Sequence, residues 1–588
     1  MHEKIPPLQI EPHGHGRRQI RSPYFTLIVL FLFVFLIFNL NLNLRPMPGG
    51  DSVPTCLLPF SILLDQSITL DRFYDWYKAR TSVLYYFTVS KGHVYSSYPI
   101  ALPLMITPLY LPVVLSIKAA DQPVEKIISL AGVMEKIAAS LIASITVVVF
   151  FCLLRKIVHR STALWLSLLF AFGTSTWTIS SQALWQHGAS QLMIICCLFY
   201  LNASFVEEKL SNTLLAGLFA ALSVAIRPTN VLLLLASYGC IFLKKWGIKR
   251  IFYYSFFPAV IGITVVAHNY VIFGNILGYY ALEQYNSFRG NLLLGLAGVL
   301  ISPSRGLFVY SPFLMFTLAG IYRWFRGSRK LTPPLYLVCL SFIVLHILLI
   351  SKFLVWWGGY IYGPRYMTDI LPCLIILLIP GLKDISHHLV LKIVFVLLIL
   401  WSILVQGIGA FYFDGGWHEY PVSVYSDPKR LWDWKDNPIF RRLRAGPDVG
   451  IHMRWLGLSK PLADRDFRAS YDQVKGPSQM KVKASAFFEV TLSNQSENNW
   501  VTAGSGTNSI NLSYHWYNKE GKAIIWDGHR SKLPFLFRPM KPTNIKLFVT
   551  APNNPGEYIL TMDLVQEHVS WFSQKGCKPT ETPIEVTQ

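Results

Sequence analysis

The chain has 588 residues, of which 52% are hydrophobic and only 14% are charged. A soluble domain rarely combines so much apolar surface with so little charge, so the composition favours a polytopic membrane protein. The formal net charge of +21 does not indicate nucleic-acid binding, because the basic residues are concentrated in short loops between apolar runs. That distribution is typical of the cytoplasmic loops of membrane proteins.

The first apolar run, residues 24–44, follows Arg17, Arg18 and Arg21. About 20 apolar residues are enough to cross a hydrocarbon core, and basic residues before a span hold that end in the cytoplasm. Because no small-x-small cleavage site follows, the run predicts an uncleaved anchor and not a removed signal peptide. We therefore expect residues 1–23 to form a basic cytoplasmic N-terminus.

Ten further runs are long and apolar enough, or nearly so, for tilted membrane helices. They cover residues 127–154, 161–179, 188–206, 212–227, 229–243, 251–273, 306–324, 333–351, 366–382 and 389–408. The loops between them alternate, with mostly basic loops on one side and the loops at 45–126, 180–187, 274–305 and 352–365 on the other. Eleven spans with this charge bias predict a cytoplasmic N-terminus and place everything after residue 409 outside.

The large first external loop, residues 45–126, contains two further predicted segments. Residues 98–117 are apolar but carry Pro99, Pro103, Pro108 and Pro112, and this spacing removes repeated backbone hydrogen bonds. We predict that the segment is interfacial or re-entrant, because an additional span would reverse the sidedness of all later loops. The stretch LDRFYDWY, residues 70–77, predicts an amphipathic interfacial helix with a wetted polar face.

The composition changes after residue 410. Residues 411–483 predict an extracytoplasmic linker rich in Trp and Arg, the mixture expected at a membrane interface. From residue 484 to 588, short alternating runs are separated by turn signals such as NKEGK and APNNPGE. Strands at this spacing predict a small antiparallel β-sandwich, which at about 100 residues is large enough to fold alone.

The eight cysteines give no metal-type CxxC spacing. Six of them lie in apolar segments and are interpreted as small core residues: Cys152, Cys196, Cys197, Cys240, Cys339 and Cys373. Cys56 and Cys577 lie in predicted extracytoplasmic regions. Pairing between these two is left open, because nothing in their spacing indicates it.

Asp51 is the first acidic residue after the first span, and it follows Gly49 and Gly50. One interpretation is a helix-exit residue in a Gly/Pro turn. The other is a general base at the membrane–water boundary, positioned to take a proton from an acceptor hydroxyl. In that case the two glycines would allow a donor headgroup to approach the backbone.

The other external loops supply candidate partners for such a base. Arg227 ends a short span, and an arginine at that depth needs a partner, so we interpret it as functional or as one half of a structural ion pair. Arg305 and Arg365 each lie among glycines and aromatic residues, and a planar guanidinium suits phosphate. Lys91 is a further cation in the first loop. The candidate substrate-binding residues are His187 (alternatively an interfacial histidine), Gln186, Trp185, Tyr98 and Tyr362.

One external carboxylate and several external cations favour attack on a phosphate-activated group held at the membrane. The cations would stabilise the departing phosphate, and the carboxylate would activate the nucleophile. The sequence contains no P-loop, no GxGxxG and no Gly-x-Ser-x-Gly elbow. No cofactor is required by these motifs. A divalent metal is left open, but no metal ligands are assigned because no carboxylate cluster indicates one.

The motifs over residues 24–410 resemble, in order and sidedness, those of the integral-membrane C-type glycosyltransferases that use polyprenyl-phosphate sugars. The similarity is to the branch of protein O-mannosyltransferases and the aminoarabinose transferase of lipid A. It rests on GGDS after the first helix, the YP segments, LWQHG, IRPTN, SPSRGLF and GPRYM. It implies an α-helical polytopic membrane fold of the same class, with about eleven membrane helices, followed by an extracytoplasmic β-sandwich.

The resemblance also implies residue roles. An acidic residue after the first helix is the catalytic base of an inverting transfer, and it corresponds to Asp51. External basic residues hold the lipid phosphate, and the matches are Arg365 and then Arg305, Arg227 and Lys91. The chain lacks the Asp-Glu pair of the mannosyltransferases, since Ser52 follows Asp51, so the acceptor class stays open. The C-terminal stretch resembles the Ig-like domain of some bacterial and archaeal membrane glycosyltransferases.

We therefore predict an integral protein of a bacterial or archaeal plasma membrane that transfers a sugar from a polyprenyl-phosphate donor. The acceptor would be an extracytoplasmic glycolipid, polysaccharide or protein, and membrane lipids but no nucleic acid would be partners. A transporter or flippase of lipid-linked saccharides is one alternative, for which Glu135 and Lys136 in the second span are the ionisable candidates. A non-catalytic membrane scaffold built around the β-sandwich is another, but eleven spans exceed what an anchor needs.

Overall fold

The computed structural model describes residues 23–41, 49–79, 84–116, 121–207, 209–327, 334–413, 416–418, 423–445, 461–502, 508–533 and 536–588. The predictions for the N-terminal arginines Arg17, Arg18 and Arg21, and for residues 446–460 of the linker, lie outside these ranges. All candidate site residues lie within them.

The described residues up to residue 445 are mostly helical. The helices are α1 (Pro23–Phe38), α2 (Val53–Asp65), α3 (Asp71–Lys78), α4 (Ala101–Ser116), α5 (Val124–Leu154), α6 (Arg160–Phe172), α7 (Gln186–Glu207), α8 (Leu210–Ile226), α9 (Val231–Leu243), α10 (Ile248–Phe273), α11 (Gly278–Asn286), α12 (Leu292–Ile301), α13 (Leu307–Tyr310), α14 (Phe316–Arg326), α15 (Pro334–Ser351), α16 (Leu371–Leu378), α17 (Leu382–His387), α18 (Leu389–Tyr412) and α19 (Pro438–Ala445). A short antiparallel hairpin, β1 (Phe87–Ser90) and β2 (His93–Ser96), lies between α3 and α4.

Within the described residues, six helical segments are long and apolar enough to cross a membrane: α5, α7, α10, α15, the segment from Arg365 to His387, and α18. Shorter apolar helices occupy four of the other predicted spans, as α1, α6, α8 and α9, whereas residues 306–324 are divided between α13, a 3-10 turn at Pro312–Met315 and α14. The helices α10 and α18 keep most of their apolar side chains exposed, as expected of helices that face lipid, whereas α5 and α7 are mostly buried. The chain is a polytopic helical membrane protein, and the predicted spans lie on helices.

Between α1 and α5, the segment predicted to be interfacial or re-entrant is a helix, and its place relative to the membrane stays a prediction. Residues 101–116 form the continuous helix α4 although Pro108 and Pro112 lie inside it. The reason is packing: Leu102, Ile106 and Tyr110 recur every four residues on one buried face, and the ring of Tyr110 contacts Phe60 of α2 at 5.3 Å. The amphipathic segment at 70–77 forms α3, as predicted.

The C-terminal region is built from β3 (Ala469–Lys475), β4 (Gln479–Lys481), β5 (Ser485–Asn494), β6 (Trp500–Val501), β7 (Ile510–Asn518), β8 (Ala523–Ile525), β9 (Ser531–Lys532), β10 (Leu536–Phe537), β11 (Thr543–Thr550), β12 (Gly556–Gln566), β13 (Ser570–Trp571) and β14 (Thr580–Thr587). One sheet has the order β11-β5-β3, a second has β4-β14-β12-β7-β8 with β13 and β9 paired to β12 and β7, and β10 pairs with β6. Most pairs are antiparallel, but β14 pairs with β4 in parallel.

The two larger sheets bury one shared core. Val490 and Leu547 of the first sheet belong to the same buried cluster as Trp516 and Leu560 of the second. The strands begin at Ala469, so the predicted start at residue 484 is too late and assigned β3 and β4 to the linker. Strand β3 has a half-exposed pattern without alternation, because it lies at the edge of its sheet.

All eight cysteines are free. Cys56 lies buried in α2, and Cys577 accepts a hydrogen bond from the backbone N–H of Ala469 at 3.3 Å. These two cysteines therefore do not pair in the structure.

Candidate active site

Asp51 lies in the turn between α1 and α2, and its carboxylate has partners from two distant segments. Its Oδ1 atom accepts a hydrogen bond from the Tyr85 hydroxyl at 2.7 Å. Its Oδ2 atom forms an ion pair with Nη2 of Arg365, which begins a 3-10 helix at Arg365–Ile370. The side chains of Asp51 and Arg365 are 20% and 14% exposed. The segment around Tyr85 and the segment before α16 therefore meet at this carboxylate.

Opposing effects set the protonation state of Asp51. Burial on its own raises the pKa of this carboxyl, but the charge of Arg365 and the hydroxyls of Tyr85 and Tyr98 lower it by more. The net result is a pKa below the ordinary value of 3.8. Asp51 is therefore ionised at neutral pH, with Arg365 as its counter-ion.

The two glycines before Asp51 are required by close contacts within the protein. A Cβ atom on Gly49 would lie 3.0 Å from the Trp185 ring, and one on Gly50 would lie 2.7 Å from the Tyr85 hydroxyl and 2.9 Å from the Tyr86 ring. The chain's own aromatic side chains therefore occupy the Cβ positions of both glycines, and the approach of a donor headgroup to the backbone beside them stays a prediction.

His187 lies at the start of α7 and is fully buried. Its Nε2 atom is 3.3 Å from Nε of Arg365 and 3.2 Å from Nη1 of Arg227. A guanidinium can only donate hydrogen bonds, so Nε2 is the acceptor and Nδ1 carries the proton. Nδ1 in turn donates to Oδ2 of Asp369 at 3.0 Å. We refer to His187, Arg227, Arg365 and Asp369 as the His187 network.

Asp369 anchors the His187 network from inside the bundle. It is fully buried, its Oδ2 atom lies 3.0 Å from Nε of Arg227, and its Oδ1 atom accepts a hydrogen bond from Ser190 at 2.6 Å. Asn230 donates to the Ser190 hydroxyl at 2.7 Å. Arg227 therefore has the ion-pair partner that its depth demands, and of the two interpretations of this arginine the structural ion pair is present.

Aromatic rings fix both guanidinium groups. The ring centroid of Tyr366 lies 5.6 Å from Cζ of Arg227 and 5.9 Å from Cζ of Arg365. The ring of Trp185 contacts Arg365 at 5.5 Å. These distances are within the range of cation–π attraction. Arg365 is therefore held by rings, by His187 and by Asp51 together.

The helix α11 and the YP segment complete the surroundings of Asp51. Tyr98 hydrogen-bonds to Asp51, and its ring lies 5.4 Å from that of Tyr280. Burial and the negative charge of Asp51 raise the pKa of Glu283 on the same helix. A second carboxylate therefore lies within electrostatic range of Asp51.

Two neighbouring side chains at the start of α7 have unused donors. Within the described ranges, Nε1 of Trp185 and Nε2 of Gln186 are buried and have no hydrogen-bond partner. A buried donor without a partner is costly, so such groups often mark a place where a ligand or water binds. Trp185 and Gln186, which were both predicted to bind substrate, therefore keep unused hydrogen-bond donors beside the His187 network.

Three predicted site residues use their polar groups elsewhere. Lys91 lies exposed at the turn between β1 and β2 and donates to the carbonyl of Val271 in α10. Arg305 is buried and donates to the carbonyls of Trp357 and Ser304 and to His418, with distances of 2.7 to 3.0 Å.

The third of them is Tyr362. It donates to the carbonyl of Val405 at 2.9 Å and packs its ring against Tyr310. Arg305 and Tyr362 therefore bind groups outside the His187 network, and the ammonium of Lys91 is bound at the end of α10.

Glu135 and Lys136 in α5 are buried but do not pair with each other. Glu135 accepts from the backbone N–H of Leu184 at 3.0 Å and bonds to the hydroxyl of Ser52. Lys136 donates to the carbonyls of Phe38 and Ser181 at 2.7 and 3.1 Å, and to Oε1 of Gln182 at 2.8 Å. Through these bonds α5 holds the end of α1, the residue that follows Asp51 and the segment 181–184.

Several site residues were missed by the sequence analysis: Asp369, Tyr366, Tyr85, Ser190, Tyr280 and Glu283. The depth of Arg227 did signal an acidic partner, and Asp369 is the acidic residue four positions after Arg365. No pattern distinguishes Tyr85 from the other tyrosines of the first loop. Among the residues that the structure describes, no group of three or more His, Cys, Asp or Glu side chains could hold a metal ion.

No known family model and no curated protein matches the sequence. Among solved structures, the chain is similar to the crystal structure of ArnT from Cupriavidus metallidurans bound to undecaprenyl phosphate. The sequence identity is 11% and the TM-score is 0.42, over 66% of this chain and 75% of that one. The assignment of the site rests on the side-chain geometry of this chain.

Proposed function

We propose that the protein is an inverting membrane glycosyltransferase of the C-type family, which transfers a sugar from a polyprenyl-phosphate donor to an extracytoplasmic acceptor. The observation that carries this proposal is the pairing of an ionised carboxylate, Asp51, with a guanidinium, Arg365, where the first membrane helix ends. The carboxylate is a base for a hydroxyl, and the guanidinium is a partner for a phosphate. The order of the motifs along residues 24–410 agrees with this assignment.

The donor phosphate binds at Arg365. Its guanidinium is oriented by His187 and by the rings of Trp185 and Tyr366, so little side-chain freedom is lost when it binds an anion. The unused donors Nε1 of Trp185 and Nε2 of Gln186 suit the same ligand, because phosphate oxygens only accept hydrogen bonds. Arg227 supports the site by holding His187 and is itself neutralised by Asp369.

The acceptor hydroxyl is activated by Asp51. Asp51 removes the hydroxyl proton as the acceptor oxygen attacks the anomeric carbon, and the bond between that carbon and the phosphate oxygen breaks. The electron pair of the broken bond stays on the polyprenyl phosphate, whose added negative charge is stabilised by Arg365. Attack from the face opposite the leaving phosphate inverts the anomeric configuration.

The sugar and the acceptor are open within this proposal. Glycolipid, polysaccharide and protein acceptors all carry the hydroxyl that the chemistry needs, and both hexosyl and pentosyl donors fit it. We also propose that the Asp51 face and the C-terminal sheets are extracytoplasmic, as the loop charges indicate, and that the cell envelope is bacterial or archaeal. In this arrangement the acceptor and the base share one compartment.

The test is the transfer activity of the Asp51→Asn variant. The full chain is reconstituted into proteoliposomes with a panel of radiolabelled polyprenyl-phosphate sugars, and transfer of label to extracted host glycans is measured. Loss of a general base costs about 100-fold or more in rate, so the variant should lose transfer. The control is Asp75→Asn, which makes the same change at an exposed carboxylate of α3 and should transfer normally. Transfer by Asp51→Asn at the wild-type rate would refute the assignment.

A further inference from the structure

In the ion pair between Asp51 and Arg365, the Asp51 carboxylate already occupies the anion-binding position of the proposed phosphate site. The two side chains are in direct contact although both are partly exposed, at 20% and 14%. An ion pair at that exposure is open to exchange, because water and other anions can reach it. Any anion that binds Arg365 along the same edge must compete with Asp51.

Arg365 is the fixed partner of this pair. Its Nε atom contacts His187 at 3.3 Å, and the rings of Trp185 and Tyr366 lie 5.5 and 5.9 Å from its Cζ atom. Asp51 has fewer restraints. Apart from Arg365, its carboxylate is bonded to the hydroxyls of Tyr98 and of Tyr85, and Tyr85 is itself 46% exposed. An incoming anion therefore moves the carboxylate and leaves the guanidinium in place.

The two carboxylates that pair with these arginines differ in how tightly the protein holds them. Two arginines, Arg227 and Arg365, face two carboxylates, Asp369 and Asp51. Asp369 is fully buried and held by Ser190, His187 and Arg227, so its charge belongs permanently to the network. Asp51 is the exchangeable one.

We propose that Asp51 is an internal competitor for phosphate at Arg365, and that a seated phosphate ester releases Asp51 from this arginine to act as a base. The ligand class is the anion of a phosphate ester. The competition itself rests on the ion pair, and only the role of the released carboxylate rests on the proposed function. Binding of donor and activation of acceptor are then coupled through one side chain.

Phosphate binding at Arg365 makes the Asp51 carboxylate a stronger base. While Arg365 holds Asp51, the carboxylate is a weak base. A phosphate bound at Arg365 removes this contact and brings a like charge near Asp51, and both changes favour protonation. The other described groups that interact with the charge of Asp51 are Tyr85, Tyr98, Tyr280, Tyr366, Tyr425 and Glu283, and of these only Glu283 adds a negative charge.

Ligand affinity tests the competition without any transfer reaction. The full chain in nanodiscs is titrated with farnesyl phosphate, with inorganic phosphate and with farnesol. We expect Asp51→Asn to bind farnesyl phosphate more tightly than wild type by at least about fivefold, since the internal anion is gone. Asp51→Glu keeps an anion and should stay near the wild-type affinity. Farnesol, which has no charge, should bind all variants equally.

The same titrations show which part of the ligand is recognised. Equal gains in the affinity of Asp51→Asn for inorganic phosphate and for farnesyl phosphate would place the recognition in the phosphate alone. A gain for farnesyl phosphate only would include the lipid chain.

Two controls separate the possible outcomes. Asp65→Asn removes a carboxylate that is paired with Arg72 at the end of α2, and it should leave the affinity unchanged. Asp51→Ser is a second neutral variant in case Asp51→Asn does not fold. Unchanged or weaker binding of farnesyl phosphate by the folded neutral variants would overturn the competition. If their binding tightens but sugar transfer persists, the competition stands and the proposed base fails. If transfer is lost without tighter binding, the base stands and the competition fails.

Discussion

At Asp51, burial and charge act in opposite directions, and the charge of Arg365 and the tyrosine hydroxyls prevail. A carboxyl whose pKa is lower in the folded state stabilises the protein above its unfolded pKa, which is about 3.9. That stabilisation is lost as the pH falls through the folded pKa. The carboxylate is therefore available as a base over the whole neutral range.

Thermal unfolding between pH 6 and pH 3 tests this assignment. The difference in Tm between wild type and Asp51→Asn should be constant from pH 6 to pH 5 and should shrink below about pH 4, because wild type then loses the ion pair. Asp75→Asn, which changes an exposed carboxylate, serves as the reference. A difference that grows as the pH falls would contradict a lowered pKa.

Substitution of Gly50 tests the close contacts between this glycine and the tyrosines beside Asp51. A Cβ atom there would lie 2.7 Å from the hydroxyl of Tyr85, which donates to Asp51. We expect Gly50→Ala to displace Tyr85 and to reduce transfer by about tenfold or more, a loss of at least about 1.4 kcal/mol of transition-state stabilisation. Gly262→Ala is the control, since nothing lies within 4 Å of its Cβ position in α10. Equal activity of the two variants would show that the glycine is not needed for the site.

Much of this residue-scale picture could be predicted from the sequence, but its connections could not. Asp51, Arg365 and His187 were identified because each is a polar residue at the end of an apolar run. Asp369 lies inside the predicted span 366–382, where a carboxylate needs a buried cation, and Arg227 needed an anion. Pairing them requires knowing that α7 and the 365–370 turn are neighbours, which is information on tertiary packing. Arg305 had the same local pattern as Arg365, yet it is used by backbone carbonyls.

The helix α5 is the element that connects the segments around Asp51. Consecutive residues on a helix point about 100° apart, so Glu135 and Lys136 reach different neighbours. Glu135 holds the segment at Ser52 and Leu184, and Lys136 holds the end of α1 and the turn at 181–182. The transporter hypothesis relied on these two residues, and their local partners account for both of them.

Lys136→Met tests this role of α5. The substitution leaves the carbonyls of Phe38 and Ser181 without their buried donor, which costs on the order of 1–3 kcal/mol for each group. We expect a clear fall in Tm, together with reduced transfer because the segment before Trp185 loses its attachment. Lys126→Met on the same helix removes an exposed lysine bound to Gln122, and it should change neither quantity. A wild-type Tm for Lys136→Met would refute the attachment.

The helix α4 shows why an element can differ from its local pattern. The prolines of this segment indicated a repeated loss of backbone hydrogen bonds, because each lacks an N–H group. The stripe of Leu102, Ile106 and Tyr110 buried against α2 outweighs that loss. Sequence periodicity alone does not reveal this partner, since α2 was not predicted as a helix.

At the scale of the whole molecule, the predicted topology places the site and the C-terminal sheets on the same side of the membrane. In this topology Asp51 and residue 574 face one compartment, and His388 at the turn between α17 and α18 faces the opposite one. The exposure of Gln574 and His388 makes both suitable for labelling.

Single cysteines report this topology. A membrane-impermeant maleimide should label Gln574→Cys in intact cells and should label His388→Cys only after permeabilisation, with the parent chain as background. The reverse pattern would invert the topology and would place Asp51 in the cytoplasm. Labelling of both positions from outside would contradict the alternation of the loops.

The central claim is that Arg365 is the phosphate partner next to a catalytic carboxylate. A structure of the full chain with bound polyprenyl phosphate tests it most directly, through the distance between the phosphorus atom and Cζ of Arg365. We predict a hydrogen-bonded distance of about 4 Å, with Asp51 moved away from the guanidinium and the His187 network unchanged. A phosphate bound at Lys91 or elsewhere, with the Asp51–Arg365 ion pair intact, would contradict the account.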